Sequence, residues 1–599
     1  MAINVNFNGA TIVKPGARSK TQVNLTGGFP LAPTGIVAIV GEADGGEAGA
    51  TAGVQTFTSE DIAALAARYK SGPIVDAARI LVNPARDSRV ANGAGLIRVF
   101  KTNASVRSAL ALSNGTTTVF NLASANRGED ENLIAVKVEA GVISASARVI
   151  TITKQGVKEV LSENPRDIHM VIQYTGADAT CTLTIQSNTL VTATTSTPAD
   201  NLSISLAGKS IQDLTDLINA NSVYTATTTL KLASARSAAD LDNISTATDV
   251  KTAPVNLLAE QKELLDIIAT ESSLVTASKV TNVEGIPAIL AKTFMAGGLK
   301  GASTNTNFQA AFDALLGIRC NTVVPLISQD ASALAALGQT DAGSSFTVDA
   351  VNLQAVTHCI TASNTRNRSE RNCYVSVKES FANSQDSAQD LNSERASMLF
   401  QDVQVLGSDG NLVFMDPWAA SCIVAGIQAG TEVGTPATFK GINANGIQHT
   451  DYNPGTQVDL AINAGLLPLE ERDSGGLRVV VHNSTYSTDA NFVNNRPSVL
   501  EAADNVAYNL RNQLEAIFTG EKARSGAAES IKNTVISIMT SFLNADIIVG
   551  DDTNNGLGWK DLTVTITGNK ANINITVTPV QGIDFILATI TLDDIRQSA

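Results

Sequence analysis

The sequence predicts a multidomain protein of mixed α/β and α+β class: a split α/β core, an inserted mainly-β domain and a C-terminal α+β domain. Three observations predict it. Residues 35–41, Gly-Ile-Val-Ala-Ile-Val-Gly, form an apolar run bounded by glycines, the pattern of a strand covered on both faces. Helix and strand patterns alternate again beyond residue 300, after a long stretch rich in Thr, Ser, Ala and Asn. Near the C-terminus the apolar period falls from 3.6 to two. At 599 residues the chain is too long for one core, and roughly three to five domains are expected.

Residues 1–33 form an arm of short alternating runs with Gly and Pro, carrying too little apolar area to fold alone. The first part of the core, 34–104, opens with the 35–41 strand. A helix is expected over 59–69, with Ile62, Leu65 and Ala66 on one side, then a short apolar element at 76–82 and a strand at 96–100. Residues 105–256 read as the inserted domain. Its short alternating stretches at 135–138, 147–152, 180–185 and 227–232 are interrupted by one helix at 210–220. The second part of the core, 257–485, restores the α/β pattern: helix 308–316, strand 322–326, helix 348–361, strand 372–377.

In the C-terminal domain, 486–599, Ser498 and Glu501 have capping-box spacing right after Pro497. Val499, Ala503, Val506, Leu510, Leu514 and Ile517 then recur at helical steps, as do Ile531, Val535, Ile538 and Phe542 in a second helix. Beyond Gly550, Leu562, Val564 and Ile566 alternate with threonines, and Ile573, Ile575 and Val577 with Asn and Thr. A third run at 585–592 either closes its own sheet or reaches a neighbour's.

The formal charge of −15 and pI near 4.8 argue against general affinity for nucleic acid or anionic membrane. Residues 1–9 alternate Ile3, Val5 and Phe7 with asparagines and do not read as a targeting signal. No apolar run is long enough to span a bilayer. Cys181, Cys320, Cys359, Cys373 and Cys422 are few, odd in number and without CxxC spacing, so buried free thiols and a reducing compartment are expected.

No catalytic constellation or cofactor site emerges. Gly208-Lys209-Ser210 lacks the earlier glycine of a phosphate-binding loop, since Ser203 stands there. The run from Gly550 to Gly556 has Leu562 where a calcium loop counted from Asp551 needs glutamate. His169, His358, His449 and His482 are scattered, and the adjacent His358 and Cys359 diverge by about a hundred degrees on a helix. Neither a GxSxG elbow nor an HExxH helix occurs. The chemistry points to a structural protein, not an enzyme, with another self-assembling surface-layer or adhesin-type subunit as the alternative.

Several segments, in order, resemble the contractile tail sheath proteins of bacteriophages and related injection systems. They are Gly35-Ile36-Val37-Ala38-Ile39-Val40-Gly41-Glu42-Ala43, then Phe294-Met295-Ala296-Gly297-Gly298-Leu299-Lys300-Gly301, where Lys300 replaces the family's usual Asp. Next come Pro417-Trp418-Ala419-Ala420-Ser421-Cys422-Ile423-Val424-Ala425-Gly426-Ile427, Leu460-Ala461-Ile462-Asn463-Ala464-Gly465-Leu466 and Gly475-Gly476-Leu477-Arg478-Val479-Val480-Val481-His482. The last lacks the family's usual aromatic. Asn494-Asn495-Arg496-Pro497 completes the series, and the inserted segment is unmatched.

The resemblance implies a subunit of stacked hexameric rings that wind around a tail tube and contract to drive it through the host envelope. Such work is stored at assembly in subunit interfaces, with no fuel molecule or cofactor. The implied partners are other copies of the chain, the tube protein, and baseplate and terminator proteins, with no direct nucleic acid or membrane contact. The implied location is the virion, after assembly in host cytoplasm. The resemblance further implies that the terminal strands are exchangeable: Ile3, Val5 and Phe7, and Phe585, Leu587, Ile590 and Leu592, would add to the C-terminal sheet of adjacent subunits. The two C-terminal helices would line the inner wall, with Glu521, Lys522, Arg524 and Glu529 as tube contacts, and the inserted domain would face outward.

Overall fold

The computed structural model describes residues 31, 33–407, 410–472, 475–522, 524–584, 586 and 587, together with 5–7 and 10–12, whose backbone alone is described, as it is for 50 and 51. Two compact units result: residues 35–431 with 437–497, and residues 1–34, 432–436 and 498–599.

The larger unit is built on a six-stranded sheet. Its order is Ala396–Leu399, Asn372–Ser376, Thr322–Pro325, Ile36–Gly41, Leu96–Lys101 and Gln55–Thr58. The first five run parallel, and Gln55–Thr58 lies antiparallel at the edge. Ile36–Gly41 is wholly buried near the centre, as its apolar run predicts. Its side chains alternate between two cores. Val37 and Ile39 pack with the helices Pro73–Val82 and Pro417–Ala429, while Ile36, Ala38 and Val40 pack with Asn305–Leu315 and Val348–Ser363 on the opposite face. The result is a three-layer doubly wound core.

Close backbone approach explains two of the glycines. Gly35 has φ +77°, and a Cβ there would lie 2.6 Å from the Ala429 carbonyl oxygen. Gly426 lets the buried helix Pro417–Ala429 press on its neighbour, since a Cβ would meet the Leu81 carbonyl oxygen and the Pro84 Cβ, both at 2.9 Å.

The inserted segment holds two β-rich cores, one nested in the other. The inner one combines a four-stranded sheet (Val157–Val160, Arg148–Lys154, Ala135–Ala140, Leu290–Phe294), a three-stranded sheet (Val275–Lys279, Thr118–Ser124, Ala109–Ser113) and the helix Glu260–Glu271. The outer core lies within residues 168–258 and packs two further sheets on the helix Ile211–Asn219. Sequence places 257–299 with the second part of the core. Strand pairing instead joins Leu290–Phe294 to Ala135–Ala140 and Val275–Lys279 to Thr118–Ser124, a long-range choice that composition does not encode.

In the smaller unit the helices Pro497–Phe518 and Ala527–Asn544 bury Ala502, Val506, Ile531, Val535, Ile538 and Phe542. Pro497 is the first residue of the helix, so Ser498 lies inside it and does not act as the expected cap. The stripe also shifts by one residue: Ala502 is buried where Ala503 was expected, and Phe518 packs on the core while Ile517 is exposed. The strands Trp559–Thr567 and Lys570–Val577 pair antiparallel as a hairpin.

Candidate assembly surfaces

Parallel α/β sheets usually take ligands beyond the carboxyl ends of their strands, where strand order reverses. Here that place lies beside Ile36–Gly41, and the chain's own polar groups fill it. Glu42 accepts hydrogen bonds from Thr340 and Ser344, and burial raises its carboxyl above the usual range. Lys101 donates to Ser105 and to the Gly46 carbonyl (3.2 Å), and burial lowers it to about 7. Asn103, fully buried, accepts from Ala43 N–H (3.0 Å) and donates to the carbonyls of Ala43 (2.8 Å) and Lys300 (2.9 Å). Thr102 and Ser303 share a 2.9 Å bond. These residues lie where the chain leaves the core for the inserted domain and returns. The crevice serves as the anchor of the insertion.

The motifs weighed in the sequence resolve into local structure. Ser210 caps the helix Ile211–Asn219 in a capping box with Asp213. Asp551 accepts from the N–H groups of Thr553 (2.8 Å) and Asn554 (3.1 Å), the geometry of an Asx turn. His358 lies 3.1 Å from a guanidinium nitrogen of the buried Arg371, and burial lowers its pKa to about 3. His482 stacks on Tyr374 and is likewise lowered to about 3 by burial. All five cysteines are buried and free. No group of three or more His, Cys, Asp or Glu positioned to hold a metal occurs among the described residues.

In the smaller unit, Leu562, Val564 and Ile566 on one strand and Ile573, Ile575 and Val577 on the next turn toward the helical core but stay only half-buried. A two-stranded ribbon is too narrow to seal that face. Of the terminal residues assigned to exchange, Ile3, Phe585, Ile590 and Leu592 lie outside the described residues. Val5–Phe7 pairs with Ala10–Ile12 in a short antiparallel hairpin, and Leu587 is 95% exposed. Leu31 packs against the helical core. Glu521, Lys522 and Arg524 sit exposed between the two helices, and Glu529 lies exposed in the first turn of the second.

One surface had no sequence signal: consecutive exposed apolar residues on the strand Leu412–Met415. Such a run looks the same in sequence whether it is buried or exposed.

No protein-family model matches the chain. Against individual proteins it is 24% identical over 604 residues to "Tail sheath protein" of Bacillus phage SP01, covering 98% of this chain and 97% of that one. The chain is thus similar to a phage tail sheath protein along nearly its whole length. Among solved structures, the sheath tail protein from Desulfitobacterium hafniense aligns with a TM-score of 0.52 at 14% identity, over 95% of this chain and 100% of that one. The sheath fold therefore extends over nearly the whole molecule, the α/β core and the C-terminal unit included.

Proposed function

We propose that this chain is the structural subunit of a contractile phage tail sheath, polymerising as stacked hexameric rings around a tail tube and contracting to drive the tube through the host envelope. The observation that carries this is the end-to-end match to a protein named as a tail sheath protein. Its partners are other copies of itself, the tube protein, and baseplate and terminator proteins. It acts as a virion component assembled in host cytoplasm, and it works mechanically, without enzymatic turnover.

The half-buried face of the Trp559–Thr567 and Lys570–Val577 hairpin supports strand exchange between subunits, because added strands would finish sealing it. The arm strands around Val5 and Phe7 and the segment around Leu587 are the proposed donors. The exposed Glu521, Lys522, Arg524 and Glu529 are the proposed tube contacts.

Electron microscopy of the purified protein tests the reading. Hollow helical tubes are expected; flat lattices or persistent monomers would overturn it. Deleting residues 1–20 should leave a soluble monomer, and normal tubes from the truncated chain would exclude the arm's role.

A further inference from the structure

The strand Leu412–Met415 is the outer member of a three-stranded sheet whose order continues through Asp402–Leu406 to Gly446–Gln448. Gly407 N–H donates to the Asn411 carbonyl oxygen, so in antiparallel alternation Val405 with Val413 and Val403 with Met415 are the hydrogen-bonded pairs. The backbone groups of Leu412 and Phe414 therefore face outward. Around them Leu406 is 61% exposed, Leu412 51%, Phe414 45% and Val413 36%. The strand carries none of the lysines or prolines with which proteins usually blunt a bare edge.

Beside this edge lies a hollow of about 340 Å³ lined by Leu406, Leu412, Arg79, Arg86 and Asn445. Arg86 Nε donates to Asn443 Oδ1 (2.8 Å) and Nη2 to Asn445 Oδ1 (2.9 Å), while Arg79 reaches only the Gly407 carbonyl, at 3.5 Å. Neither arginine forms an ion pair with a carboxylate among the described residues.

We propose that this edge is a second self-assembly site, in the α/β core and distinct from the terminal arms, where an extended segment of another copy of this chain pairs with Leu412 and Phe414 and sets a carboxylate against Arg79 and Arg86. Two observations select a second copy. The chain carries 57 acidic against 42 basic residues, so another copy supplies the complementary charge. A four-residue edge with its apolar fringe is far smaller than the roughly 800 Å² per partner of a stable free complex, so it suits a contact repeated along a polymer. The proposal rests on the sheath reading above.

Full-length protein is compared as monomer and as assembled tubes by hydrogen exchange, alongside the variants Phe414→Pro, which removes only an outward-facing N–H, and Leu412→Lys. The Leu412 and Phe414 amides are expected to become protected on assembly. Each variant should raise the critical concentration about tenfold, the effect of losing roughly 1.4 kcal/mol, while its thermal unfolding stays near wild type. Should wild type fail to self-associate, the sheath reading falls and this one with it. Tubes forming normally from both variants, or protection that appears only when tube protein is added, overturn this proposal alone.

Discussion

Lys300 Nζ lies 3.2 Å from Asp44 Oδ1, tying the return of the inserted domain to the segment that follows the core's central strand. Asp44 is the carboxylate that faces Lys300 across this junction, and both side chains are about a quarter exposed. Lys300→Asp should destabilise the larger unit by about 1 kcal/mol, since the pair is only partly buried and the variant sets two like charges face to face. Adding Asp44→Lys should recover most of the loss. A double-mutant cycle on denaturant midpoints checks this; strictly additive effects would disprove the coupling.

Asn103 should matter more than the ion pair. Removing its side chain leaves the Ala43 N–H and carbonyl without their partner, while the Lys300 carbonyl keeps only Ser105 Oγ (2.7 Å), at a cost of about 1–3 kcal/mol. Asn103→Ala should lower the unfolding midpoint more than Lys300→Ala, and limited proteolysis should cut first near residues 102–106 or 299–303.

Gly426→Val should damage the core directly. The new Cβ would meet the Leu81 carbonyl oxygen and Pro84, and overpacking of this kind costs about 1–3 kcal/mol. Circular dichroism should show earlier melting; an unchanged midpoint would mean that the helix Pro417–Ala429 can shift without penalty.

Acid should weaken the larger unit through its buried histidines. The Ala437 N–H points at His482 Nδ1 (3.3 Å), so a second proton has no room there. An unfolded histidine titrates near 6.5, whereas His482 is held at about 3. The unfolded state therefore binds more protons between these values. The stabilisation is complete above pH 6.5 and is lost progressively as pH falls toward 3. Between pH 7 and 4.5 this amounts to roughly 2–3 kcal/mol. His482→Gln should lower stability at pH 7 yet flatten this dependence; an unaltered slope in pH-dependent denaturant melts would rule it out.

Reversing Lys522 and Arg524 to Glu should leave the fold intact, because both are exposed, but should reduce tube-dependent assembly. Co-sedimentation with tube protein at two salt concentrations measures it. Equal pelleting of variant and wild type would remove these residues from the tube contact.

How much was legible varies with burial and range. The 35–41 strand could be read because a strand covered on both faces has no polar position. Ile531, Val535, Ile538 and Phe542 could be read because one helical face is buried along its whole length. The exit of Ile517 in favour of Phe518 could not, since neighbouring residues near a helix end compete for one edge of the stripe. Nor could the exposed edge at Leu412–Met415, because an apolar run does not say which side stays open.

Local period and composition encode the acidic charge balance, the split α/β core, the two C-terminal helices and the alternating hairpin. Three features emerge only on folding: the inserted segment nests one core inside another, Glu42, Lys101 and Asn103 close the crevice where a ligand would sit, and the C-terminal ribbon stays half-covered. Each depends on residues far apart in the chain meeting, and pairing energies between distant strands leave no periodic trace along the sequence.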